Sequence, residues 1–169
     1  MTAVRGLVAA LAVALALVLQ VTVFPHFAWQ GVVPNLCLLV VVGAALTRGP
    51  QFASVLGFLA GVSLDLAPPA DHLAGRWALA LVVVGYVAGR VRQDTRPSAG
   101  AVVATVAASS FVGTSIFAIS GLLLDDPGLG VSGMLEVILI ALVWDVLLTP
   151  FVLPLVMRTF TRLQPARAA

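Results

Sequence analysis

The stretch AGAVVATVAASSFVGTSIFAISGLLL runs from Ala99 to Leu124 and contains serines and threonines but no charged side chain. A helix needs about 20 largely apolar residues to cross the hydrocarbon core of a bilayer. This stretch exceeds that length without interruption, so it predicts a membrane-spanning helix. It is the clearest of several apolar runs in the chain.

The composition of the whole chain supports the same class. Of the 169 residues, 61% are apolar and only 9% are charged, whereas soluble domains have about 45–50% and about 25%. Sixteen charged side chains cannot cover the surface of a soluble domain of this length. A soluble enzyme, a secreted disulfide scaffold and a disordered chain are therefore excluded. The isoelectric point near 9.5 does not indicate nucleic-acid binding, because the arginines are scattered between apolar runs.

The apolar runs predict an all-α integral membrane bundle of about six helices in a single polytopic domain. The first run follows Arg5 and resembles a signal peptide, but it is long and no clear cleavage site follows, so we interpret it as a retained helix. The second run is short, and it either extends into its flanking loop or lies where the bilayer is thin. Four or five spans result if the second and fourth runs do not cross. The predicted spans are 6–24, 33–47, 51–67, 73–89, 99–124 and 134–157.

The arginines predict the orientation of the bundle. With six spans, eight of the nine arginines fall on one side and Arg76 alone falls on the other. The positive-inside rule then places both termini of a multi-pass membrane protein in the cytoplasm. The eight are Arg5, Arg48, Arg90, Arg92, Arg96, Arg158, Arg162 and Arg167.

Three carboxylates lie inside predicted spans, where each costs about 2.5–3.5 kcal/mol at mid-membrane. Asp65 and Glu136 lie near the outer ends of their spans and can reach the interface. Arg76 lies at a depth similar to that of Asp65, so we expect an Asp65–Arg76 pair. Asp145 lies roughly 16 Å below the outer end of the sixth span, with no arginine at its depth.

Asp145 therefore has no basic side chain at its own depth with which to form an ion pair. Ser110 and Thr114 lie at a similar depth in the fifth span, and we expect Asp145 to be protonated or hydrogen bonded to such hydroxyls. Helix packing and register are our main interpretation of the three acids. Contact with a partner helix is a second interpretation. A proton or substrate pathway is a third, although no chain of ionisable groups connects the two faces.

Small residues recur at helical spacing in the third and fourth spans. Gly57, Gly61 and Asp65 are four residues apart and share one helix face, and Gly85 and Gly89 form a similar pair. Glycines at this spacing let helix backbones approach closely in lipid. They predict helix contacts, either within the chain or with a partner.

No pattern in the sequence indicates a catalytic site, a metal or a cofactor. A nucleophile with a nearby base and a phosphate-binding glycine loop are both missing from the sequence. Cys37 lies in an apolar run, where we expect a small buried side chain. His26 and His72 have no metal-ligand spacing to it or to each other.

Several short motifs follow one another between the start of the second span and the end of the fourth. They are Pro34-Asn35, Arg48-Gly49-Pro50, Gly57–Gly61 with Val-Ser-Leu-Asp65, Trp77-Ala-Leu-Ala and Gly85-Tyr-Val-Ala-Gly89-Arg90. These motifs resemble those of the rod shape-determining MreD family of bacterial membrane proteins, best over residues 34–92, and the carboxylate in the sixth span also fits. The resemblance implies a location in the bacterial cytoplasmic membrane.

The resemblance implies a non-enzymatic scaffold in cell-wall elongation and cell shape. Its implied partners are a single-span, periplasmic MreC-like protein, an elongation glycosyltransferase and transpeptidase, and the actin-like MreB. We place the contact with the MreC-like partner on the face of Gly57, Gly61 and Asp65. The family is also similar in helix arrangement to substrate-binding subunits of energy-coupling-factor vitamin transporters. A substrate-capture subunit of that kind, docking through Ala12 and Ala16, is the alternative function.

Overall fold

The computed structural model describes residues 2–68, 73–91, 97–124 and 131–162, and these residues form helices and no strand. Three helices are long and apolar enough to cross a membrane, over Val4–Thr22, Ala99–Leu123 and Gly133–Arg162. The helices are α1 (Thr2–Thr22), a short 3-10 helix (Phe24–Phe27), α2 (Leu36–Arg48), α3 (Pro50–Leu66), α4 (Arg76–Val91), α5 (Ala99–Leu123) and α6 (Val131–Arg162).

Local sequence signals set several helix ends. Asn35 caps α2, because its side chain accepts a hydrogen bond from the amide of Leu38. Ser98 caps α5 in the same way. Between α2 and α3, Gly49 has φ +89°, a conformation that glycine adopts readily, and Pro50 begins the next helix with its φ already restricted.

Helix α2 is the centre of the bundle. Its residues from Leu36 to Thr47 are all buried, and it contacts each of the other five α-helices. With 13 residues it is about 20 Å long, shorter than the hydrocarbon core of a bilayer. From the sequence we expected this short run to extend into its loop or to meet a thin bilayer. In the structure, α2 begins at Leu36 and is enclosed by neighbouring helices. The thin bilayer stays a prediction.

Helices α3 and α4 pack with their backbones in close contact. The missing side chains of Gly57 and Gly61 make room for the α4 backbone at Leu81 and Ala78. In return, Gly85 and Gly89 make room for the α3 backbone at Ala53 and Pro50. The four glycines predicted to form helix contacts therefore face each other's helices within this chain.

One end of the bundle carries most of the arginines. Gly89 of α4 faces Pro50 of α3, and Phe52 and Phe160 meet edge to face with ring centroids 5.9 Å apart, so the ends of these helices lie together. We call this the arginine-rich end, and it carries Arg48, Arg90, Arg158 and Arg162 on α2, α4 and α6 and Arg5 near the start of α1. Arg92, Arg96 and Arg167 lie outside the described residues.

Gly61→Ala is expected to destabilise the protein, because the new Cβ would overlap the backbone of Ala78. Overpacking of this kind costs about 1–3 kcal/mol. Gly100→Ala is the matched control, since a Cβ there meets no atom within 4 Å. Thermal unfolding in detergent should give a lower midpoint for Gly61→Ala than for Gly100→Ala. Equal midpoints would contradict the close packing of α3 on α4.

Candidate functional site

A cluster of buried polar side chains surrounds the first turn of α2. Asp145 of α6 is fully buried, and its Oδ1 accepts a hydrogen bond of 2.8 Å from the backbone N–H of Asn35. Its Oδ2 accepts a bond of 2.7 Å from the hydroxyl of Ser110 on α5. Gln20 of α1 accepts from the amide of Cys37 at 3.3 Å. We call Gln20, Asn35, Ser110 and Asp145 the α2 cap cluster.

The α2 cap cluster satisfies amide groups that the helix itself cannot. The first N–H groups of a helix have no partner within it, and a buried group without a partner costs free energy. The amides at Asn35 and Cys37 are bonded by side chains of α6 and α1, and Leu38 donates to the Asn35 side chain at 2.9 Å. The cluster therefore joins four helices at one point.

The cluster lies deep in the bundle. Asp145 is 14 residues from the start of α6, which corresponds to about 21 Å along the helix. Of the two hydroxyls expected near it, Ser110 makes the bond; Thr114 is also buried, but it makes no bond to Asp145. No arginine in the described part of the chain pairs with this carboxylate.

A second buried carboxylate caps another helix. Asp65 of α3 is 3% exposed and accepts hydrogen bonds from the chain that enters α4. Its Oδ2 accepts from the amides of Gly75 at 2.8 Å and Ala78 at 3.1 Å, and its Oδ1 accepts from Trp77 at 3.1 Å. A negative charge at a helix N-terminus is also favoured by the helix dipole. Asp65 thus holds the start of α4 against the end of α3.

Arg76 connects the same region to α5. Its guanidinium donates to the carbonyl of Phe117 from Nε at 3.2 Å and from Nη2 at 2.8 Å, and lies 3.9 Å above the Phe117 ring. Trp77 stacks on the same ring with centroids 4.4 Å apart. Gly121 lies against the guanidinium, where a Cβ would overlap it. The predicted neighbourhood of Asp65 and Arg76 is therefore a junction of α3, α4 and α5.

The remaining predicted residues divide between the interior and the surface. The four glycines of α3 and α4 face inward, as described above. Glu136 is exposed on α6, whereas Asp145, nine residues later, is fully buried. In the described ranges, no three His, Cys, Asp or Glu side chains lie together as they would around a metal ion. The arrangement bonds helices to one another through buried polar groups.

Sequence reasoning did not identify four of the residues at these junctions. Asn35 and Gln20 left a signal, since an asparagine directly before an apolar run is a typical N-cap and a glutamine within one is rarely without a partner. Phe117 and Gly121 left none. They meet Arg76 from another helix, 41 residues away in the case of Phe117.

The comparison with protein families fits this architecture. The family model described as "rod shape-determining protein MreD" matches residues 2–160, which include nearly all of the six helices. The chain belongs to the MreD family. This confirms the resemblance noted in the motifs and extends it to nearly the whole chain. MreD proteins are membrane proteins of the MreBCD shape complex and are not a known enzyme family. No curated protein and no solved structure matches the chain.

Asp145→Ala is expected to destabilise the bundle more than Asp145→Asn. Alanine leaves the Asn35 amide and the Ser110 hydroxyl without their acceptor, and each buried unpaired group costs about 1–3 kcal/mol. Asparagine keeps one acceptor oxygen, and its amide can donate to the Ser110 hydroxyl. The free energy of unfolding in mixed micelles should show this order. If both variants lose the same stability, these two hydrogen bonds do not stabilise the protein.

Proposed function

We propose that this chain is a non-enzymatic scaffold subunit of the bacterial cell-wall elongation complex, bound to an MreC-like partner in the cytoplasmic membrane. The observation that carries the proposal is the family match over residues 2–160. The buried polar residues support a structural role, because Asp65, Arg76 and Asp145 all bind groups of their own chain. The elongation glycosyltransferase, the transpeptidase and MreB are then its neighbours in the same complex.

We further propose that the six helices cross the membrane six times with both termini in the cytoplasm. The grouping of arginines at one end of the bundle supports this orientation. Helix α2 is too short to span a bilayer by itself, but its residues from Leu36 to Thr47 are buried among the other helices. An arrangement like that of vitamin-capture subunits remains a prediction.

Reporter fusions are expected to place Gln93 and the C-terminus in the cytoplasm and Asp126 outside. Green fluorescent protein should fluoresce at the first two sites, and alkaline phosphatase should be active only at the third. The expected reason is the arginine asymmetry of the two ends. Phosphatase activity at Gln93, or at the C-terminus, would contradict six crossings with both termini inside.

The partner helix needs a surface other than the one we first expected. Gly57 and Gly61 are covered by α4, and Asp65 is bonded to the start of α4, so this face is not open to an MreC-like helix. We propose that these residues act in packing within the chain. Their replacement by leucine would weaken association with the partner only through loss of the fold.

We propose that the MreC-like helix docks in a groove between α4 and α5, here called the α5 groove. The groove encloses about 310 Å³. Its α5 wall consists of small side chains, which let a second helix approach closely in lipid, and of two hydroxyl residues that can hydrogen bond across helices. The α5 wall includes Ala101, Ala104, Thr105, Ala108 and Ser109, and the α4 wall includes Val84, Val87, Ala88 and Val91.

Ala104→Leu is expected to reduce co-purification of the MreC-like partner without lowering the thermal stability of the chain. Ala104 is exposed, so the larger side chain fills the α5 groove rather than the core. Ala99→Leu, at an exposed position of the same helix outside the groove lining, is the matched control and should retain the partner. Rod shape in a strain depleted of its own MreD gives the functional readout. Full partner recovery with Ala104→Leu would rule out this groove.

The vitamin-capture alternative has less support. Three grooves on the surface of the bundle are lined almost wholly by apolar side chains. Ala16, one of the two alanines expected to dock a coupling partner, is buried in the core. A vitamin-sized molecule retained by the purified protein in native mass spectrometry would favour capture.

A further inference from the structure

An apolar groove between α1 and α3 has the length of one membrane leaflet. We call it the α1 groove; it encloses about 420 Å³. On α1 it extends from Gly6 to Leu17, which corresponds to about 16 Å, close to half of the roughly 30 Å hydrocarbon core. Its lining includes Gly6, Ala10 and Ala14 on α1 and Phe52, Leu59 and Ser63 on α3.

At the arginine-rich end of the α1 groove, one lining residue contacts a guanidinium. Phe52 lines the groove there, and Cζ of Arg48 lies 4.8 Å from the centroid of its ring. The Arg48 side chain is partly buried, and its Nη1 is enclosed without a hydrogen-bond partner in the described part of the chain. Arg5 precedes Gly6 at the same end. Guanidinium groups stay charged and present five donors, so this end of the groove favours an anion.

The described part of the chain supplies no carboxylate at this end. Asp65 binds the start of α4 at the opposite end, Asp145 binds the first turn of α2, and Glu136 lies near the start of α6. The charge of Arg48 is therefore unmatched by any acid in residues 2–68, 73–91, 97–124 and 131–162. A negatively charged group from outside these residues would neutralise the charge of Arg48.

We propose that the α1 groove binds one anionic phospholipid. Its acyl chain lies along the apolar walls, and its phosphate accepts hydrogen bonds from N–H groups of Arg48 other than those of the enclosed Nη1. The length of the groove fits a chain from one leaflet, and the arginine lies where the headgroup of that lipid would be. Basic pockets between membrane helices on the cytoplasmic side bind anionic headgroups by the same combination. The inference rests on the membrane orientation proposed above.

Native mass spectrometry of the full chain in detergent tests this lipid site. The protein is incubated with phosphatidylglycerol or with phosphatidylcholine of the same acyl chains. We expect one retained phosphatidylglycerol, preferred about fivefold, since an arginine near an anionic headgroup contributes about 1 kcal/mol. Arg48→Gln should abolish the preference. Arg90→Gln is the matched control, because Arg90 lies at the same end, over the Tyr86 ring on α4, and should leave the preference unchanged.

A second variant tests the acyl-chain part of the site independently of charge. Ala10→Phe fills the α1 groove from its exposed side and should reduce retention of both lipids. Equal retention of the two lipids by the unmodified protein, or an unchanged preference in Arg48→Gln, would overturn the proposal. If Arg48→Gln does not fold, the unmodified protein and Ala10→Phe still decide it. Reporter fusions test the orientation separately, so failure of one proposal is distinguishable from failure of the other.

Discussion

Helix α2 begins among buried side chains, about 21 Å along α6 from its start, and the amides of its first turn need partners there. Asp145 and Gln20 come from other helices to supply them, and the Asn35 side chain supplies another. Since an unpaired amide in an apolar interior costs about 1–3 kcal/mol, these bonds decide where α2 can start. The positions of α1, α5 and α6 around the central helix follow from that requirement.

The same physical solution recurs at α4. Asp65 accepts hydrogen bonds from amides at the start of α4, so both buried aspartates are used to hold helix N-termini. Close contact between α3 and α4 is then completed by glycines on both helices. Ionisable groups in membrane helices are functional candidates by default. Here their oxygens bind the chain's own backbone, which agrees with an MreD-family protein whose role is structural.

Because these polar groups and glycines are used inside the bundle, partners must meet its outward surfaces. The described chain offers two chemically different ones. The α5 groove has small side chains and hydroxyls, which suit a second helix, whereas the α1 groove ends at Arg48 and suits a lipid with a negative headgroup. We propose that these separate surfaces for protein and lipid hold the partner helix at a defined orientation in the membrane.

Most of the helices could be read from the sequence, because hydropathy over about 20 residues and the positions of Gly49 and Pro50 act locally along the chain. The depth of Asp145 and its need for a hydroxyl such as Ser110 also followed from residue order. The enclosure of α2, the capping of α4 by Asp65 and the contact of Arg76 with the Phe117 ring could not be predicted from the sequence. Each of these joins residues on different helices, as far apart as Asn35 and Asp145. Local patterns therefore determined which segments are helices, whereas only the packed bundle decided which carboxylate meets which amide, since that depends on distances created by folding.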